Sequence, residues 1–150
     1  MDEQNLFHDV LKGNADAISM ISDFSAVSQI WDDLIDGDKS VPKEAINNVF
    51  ITLISTIPRN PFYQNNLSEL QPILELVVID WLTANHFEEA QEMLPLAWGL
   101  RDSMASLLVC CTKIVGGIDW AISVSPKIRE FVHNEPLEVY ADEFGKRAES

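Results

Sequence analysis

Apolar residues recur along this chain at intervals of three and four, the spacing that lines one face of an α-helix. Leu6, Phe7, Val10 and Leu11 mark a first amphipathic helix over residues 2–12, stopped by Gly13 and Asn14. The Asn14 side chain suits the N-cap of a long helix over residues 15–36, in which Ile18, Ile21, Phe24, Trp31 and Ile35 recur at helical spacing. Gly37 follows in the position of a left-handed C-cap. Ser40 reads as the next cap, with Pro42 in a first turn where a missing N–H costs nothing, for a helix running to about residue 56. Ile46, Val49, Phe50, Leu53, Ile54 and Ile57 form its wide apolar stripe. Pro58-Arg59-Asn60-Pro61 breaks the chain, and Phe62 and Tyr63 are placed to pack that loop back.

In the second half, Asn66 or Ser68 opens a helix with Glu69 or Gln71 as capping-box partner. Residues 70–84 are apolar on nearly every side, which predicts the central, most buried helix, ending at Asn85-His86. Glu88, Glu89 and Glu92 sit at the positive start of another, kinked or restarted at Pro95. Residues 96–115 then turn Leu100, Met104, Leu107, Leu108, Cys111 and Val115 inward, until Gly116-Gly117. A short helix over 118–124, another over 126–133 started by Ser125-Pro126, and a last one over 136–147 complete the pattern. No segment alternates as a strand would. The expectation is an all-α fold: a single-domain antiparallel helical bundle of about six or seven helices over residues 1–150, with three long ones at its centre.

Charge narrows the partners. The 150 residues carry 24 acidic against 10 basic side chains, a formal net charge of −14. Nucleic acid and anionic membrane surfaces both require basic patches and are excluded. A basic protein partner, a cation, or a homodimer built on an apolar face all suit this balance. No apolar run reaches the roughly 18–20 residues of a membrane span. Met1-Asp2-Glu3 is acidic where a secretory signal is basic. Cys110 and Cys111 are adjacent, so on a helix they point to different faces; reduced thiols and a cytoplasmic location are the reading.

The residues with chemistry to offer are mostly acids. Asp32 and Asp36 lie one helical turn apart on the same face, with Asp33 beside them. Like charges at this spacing repel by about 0.2–0.5 kcal/mol, and the negative end of the helix dipole adds to the cost. A bound Mg²⁺ or Ca²⁺ reverses that sign, since hard cations take carboxylate oxygens. An EF-hand loop centred on Gly37 would use Asp32, Asp36, Asp38 and Ser40, but Leu34 and Lys43 occupy two of its ligand positions, so that loop is ruled out. Asp32-Asp33-Leu34-Ile35-Asp36 resembles the aspartate-rich DDxxD motif of class I isoprenoid synthases, which are also all-helical. The resemblance covers five residues and implies Mg²⁺ holding a diphosphate. The chain departs from that family in being about half a usual catalytic domain and in lacking a second metal motif, for which Arg101-Asp102-Ser103-Met104 has a different pattern.

Weaker candidates lie elsewhere. Asp80 and Asp102 fall inside apolar runs, where a buried carboxylate must be paired or metal-bound. Arg59 and Arg101 are the bases that could meet a phosphate, and His133 a proton carrier near the acids. No motif places a Ser or Cys nucleophile beside a base. Two functional expectations follow. One is a non-enzymatic interaction or adaptor protein. The alternative is a Mg²⁺-dependent helical enzyme acting on a phosphate or diphosphate ester through Asp32, Asp33 and Asp36.

Overall fold

The computed structural model describes residues 1–37 and 39–149, with side chains through Phe144. Asp38, one of the EF-hand positions tested above, lies outside the described residues. Every regular element among the described residues is helical. In order they are α1 Glu3–Val10, α2 Ala15–Asp36, α3 Lys43–Ile51, a π-helical turn Thr52–Thr56, α4 Pro61–Asn65, α5 Leu67–Ala90, α6 Leu94–Leu100, α7 Met104–Gly116, α8 Ile118–Val132 and α9 Leu137–Glu149. The all-α expectation is met, with more helices than expected because short ones form at α4 and α6. The chain divides into two compact units, Met1–Leu67 and Ser68–Ser150.

In the first unit α2 is the element on which α1, α3, the π turn and α4 pack. Its ends are set locally. The Asn14 side chain accepts from the Ala17 N–H at 3.0 Å. Gly37 takes the left-handed conformation (φ 68°, ψ 8°), and its N–H reaches the Asp33 carbonyl at 3.1 Å. Buried Ala17, Met20, Ile21 and Phe24 face Leu6, Phe7, Val10 and Leu11, the apolar side of the α1 segment. Asn60 ties the turn before α4 to this core: its amide donates to the Asp16 carbonyl at 2.9 Å and its Oδ1 caps α4 at Tyr63.

Helix α3 starts later than expected. Pro42, in extended conformation (ψ 146°), holds the N-cap position, and no side chain caps the helix, so Ser40 does not. The π turn then changes which face Ile57 shares. Its N–H bonds the Thr52 carbonyl at 2.9 Å, five residues back, which sets later residues behind by about one helical position. Ile57 is buried, whereas Ile46, Phe50, Leu53 and Ile54 of the expected stripe are exposed.

In the second unit α7 packs on α8 and α6 on α9. A core of Ala84, Ala97, Tyr140 and Phe144 is joined by Phe87, Leu94, Trp98, Leu100 and Leu137. Four expectations are corrected here. Helix α5 is not buried all round: Leu70, Val77, Trp81, Ala84 and Glu88 face inward, while Leu76, Val78, Ile79 and Leu82 are exposed. It runs on through His86 to Ala90 and ends at Gln91, in the left-handed region (φ 58°). Residues 96–115 are two helices, separated by a turn at Arg101-Asp102-Ser103. Residues 118–132 are conversely one helix, with Pro126 inside it.

Candidate functional site

The turn between α6 and α7 gathers most of the polar residues singled out in the second half of the sequence. Arg101 Nη1 donates to both oxygens of Glu88, at 2.6 and 2.9 Å. Glu88 is only 8% exposed, on the inner face of α5. Ser103, itself buried, donates its hydroxyl to Asp80 Oδ2 at 2.7 Å, also on α5. Asp102 Oδ2 lies 3.0 Å from Nδ1 of His133, the residue after α8. That contact is an ion pair when the imidazole is protonated, without aligned hydrogen-bond geometry. Trp98 of α6 lies beside the His133 ring, with centroids 5.5 Å apart, and its Nε1 donates to the Glu135 carbonyl at 2.8 Å. Three consecutive turn residues thus hold α5 and the end of α8.

Burial sets the electrostatics of this turn. It raises the Asp102 carboxyl above the usual aspartate value, against the opposing pull of His133 and Arg101. Tyr140, buried on α9, has its phenol pushed well up by burial and by the nearby Glu88 carboxylate. Its hydroxyl has no aligned hydrogen-bond partner. Each of the three carboxylates has a partner within its own unit, and such a paired network rigidifies a core. The Ser103 hydroxyl spends its one proton on Asp80, so no serine–imidazole relay forms there. Burial pushes both thiols up, that of Cys111 far more than that of Cys110, which leaves neither as a ready nucleophile.

The other sequence candidates fall in the first unit. Asp32 and Asp33 are half-buried and Asp36 exposed on the last turns of α2. Asp33 accepts from Gln29 Nε2 at 3.1 Å, one turn back. Arg59 is exposed in the turn before α4. Among the described residues no three His, Cys, Asp or Glu side chains form a group able to hold a metal ion. The structure therefore joins Arg101, Asp102 and His133 with Asp80 close by in the chain of contacts, and leaves Asp32, Asp33 and Asp36 as a separate group on α2.

Sequence reasoning missed two features. Glu88 reads as an acid at the positive start of a helix, whereas it follows Trp81 and Ala84 at intervals of seven and four on the buried face of α5. The second is the exposed face of α3 and the π turn. Ile46, Phe50, Ile51, Leu53 and Ile54 all lie in solvent there, and no ionisable residue occurs between Glu44 and Arg59. Apolar residues scattered singly over a surface are ordinary; these five lie together on one short segment. Among the described residues no helix is long and apolar enough to cross a membrane. Comparison with protein-family models, with curated proteins and with solved structures returned no match.

Proposed function

We propose that this chain is a small acidic helical interaction protein without catalytic activity of its own, and that α3 with its π turn is the surface through which it binds. The observation that carries this reading is the group Ile46, Phe50, Ile51, Leu53 and Ile54, each between 39 and 64% exposed on a segment free of charge. A helix of a globular protein buries its apolar face unless that face has another use. Here the side of α3 turned to α2 carries Ala45, Val49 and Thr52, all half-buried, and the larger apolar side chains point away. The π turn adds support, since interruptions of this type are frequent at functional sites. In the second unit Asp80, Glu88, Arg101, Asp102 and His133 each have a partner in the turn network, which suits a scaffold. Affinity capture tests the reading. Immobilised wild-type chain should retain a partner from an extract of its own host, and Phe50→Glu should lose it while keeping its helical circular dichroism. Equal retention by both proteins, or none by either, would overturn the reading.

A further inference from the structure

We infer that the partner of the α3 face is a second copy of this chain, bound antiparallel about a two-fold axis at Phe50; this inference rests on the interaction reading above. Three observations on the same segment lead there. The first is area. Ile46, Phe50, Ile51, Leu53 and Ile54 expose 39, 64, 53, 44 and 61% of their surfaces. With about 200 Å² as the full surface of a large apolar residue, they present on the order of 500 Å². Two such faces together supply about 1,000 Å², the lower bound for a specific interface, before any flanking residue is counted. The second is charge. At a net −14, two copies repel each other over most of their surface. The stretch from Ala45 to Pro58 is free of ionisable groups, so two copies can meet there without desolvating any charge.

The third is symmetry. Phe50 stands at the middle of the helical segment that runs from Lys43 through Ile57, and Ile46 and Ile54 lie four residues to either side of it. A two-fold axis at Phe50 sets the two phenyl rings together and places Ile46 of each copy against Ile54 of the other. The contact is isologous, the commonest form of homodimer. The same register brings both Lys43 and Glu44 of one copy toward the end that carries Arg59 of the other, so the ionisable groups stay at the rim of the contact. A basic protein would find no acids on this face to recognise. The exposed face of α5 is a weaker candidate, because the exposed Glu75 interrupts it.

Sedimentation equilibrium on the full chain tests the inference, with variants that read the register. Wild type at about 100 μM should sediment with twice the mass of one chain, and Phe50→Glu as one chain. Phe50→Lys alone should also be monomeric, and an equimolar mixture of Phe50→Glu and Phe50→Lys should recover the dimer, because residue 50 of one copy faces residue 50 of the other. Where Phe50 variants lose helicity, Ile54→Glu mixed with Ile46→Lys reads the same register four residues off the axis. Ile79→Glu, on α5, should leave the dimer intact. A wild-type monomer at this concentration, a dimer that survives Phe50→Glu or is broken by Ile79→Glu, or a charge mixture that stays monomeric would each overturn it. A monomeric wild type that still captures a host protein lost in Phe50→Glu overturns the second copy alone. A monomer that captures nothing overturns the interaction reading as well.

Discussion

Arg101 and Glu88 show what a single buried pair is asked to do. Glu88 is nearly inaccessible, and both of its oxygens accept from one guanidinium nitrogen. Removing the arginine strands a carboxylate in the core, so Arg101→Ala should cost about 3–5 kcal/mol in urea denaturation. The double variant Arg101→Met, Glu88→Leu should recover most of that loss, since an apolar pair of similar volume avoids the desolvation of both charges. Asp102 behaves differently. It remains about a third exposed, with 36% of its side chain accessible, and burial still raises its carboxyl above the unfolded value. Between its unfolded and folded pKa values the folded state binds more protons, so this residue's contribution to stability falls as pH rises through that window. Asp102→Asn should remove that loss. Urea midpoints for variant and wild type should converge at low pH and separate above the folded pKa, with the variant the more stable; a variant that is less stable at neutral pH would show the His133 pair to outweigh burial. At this scale the sequence marked Asp80 and Asp102 as residues needing partners, because a charge amid apolar neighbours is visible in one dimension, and it singled out Arg101 and His133 only for other roles. It did not show which partners they find, because Asp80 and Ser103, Arg101 and Glu88, or Asp102 and His133 meet only through the packing of the helices that carry them.

Helix ends follow local rules, and the elements whose ends are capped by their own neighbours were the readable ones. Asn14 and Gly37 bound α2 as expected, since both signals act within three or four residues. The break at Arg101-Asp102-Ser103 carries neither Gly nor Pro and was invisible for that reason; side-chain bonds to α5 and His133 hold it. Pro126 gave the opposite error. It and Ile122, whose carbonyl it leaves without an N–H, lie on the exposed side of α8, where water can satisfy that carbonyl and the helix continues. The π turn left no signal, yet it carries Ile57 inward, off the outer face that holds Phe50. Two glycines in helices separate space from propensity. A Cβ on Gly99 of α6 meets nothing within 4 Å, so Gly99→Ala should gain up to about 1 kcal/mol from helix propensity. A Cβ on Gly116, at the corner where α7 turns into α8, would run into the indole of Trp120. Gly116→Ala should therefore lose about 1–3 kcal/mol through overpacking despite the same propensity gain. Thermal melts of the two variants should move in opposite directions; a stabilised Gly116→Ala would mean that Trp120 moves aside freely.

For the whole molecule, hydrophobic periodicity sufficed for the all-α fold but not for which faces are covered. The α5 segment reads as a central helix because apolar residues surround it, and period alone cannot distinguish a face against the core from one left in solvent. Exposed Leu76, Ile79 and Leu82 on α5, like Phe50 and Ile54 on α3, are the residues on which that distinction turns. Net charge is the other property of the whole. At −14 the folded chain repels itself, and α2 adds Asp32 and Asp36 at the negative end of its dipole. Added NaCl screens this repulsion within a Debye length of about 10 Å at 0.1 M, and should raise the melting temperature smoothly. Asp36→Asn should add a few tenths of a kcal/mol by relieving the i,i+4 repulsion. MgCl₂ separates screening from binding. In a protein whose acids serve only solubility and partner exclusion, MgCl₂ and NaCl of equal ionic strength should shift wild type and Asp36→Asn alike. A Mg²⁺-specific rise in wild type that disappears with Asp36 would link a bound cation to the folded state. It would place that cation at the end of α2 and revive phosphate-ester chemistry for Asp32, Asp33 and Asp36. The two outcomes differ in the variant and not in the wild type alone, because a divalent cation screens any acidic surface, whereas only a site depends on one carboxylate.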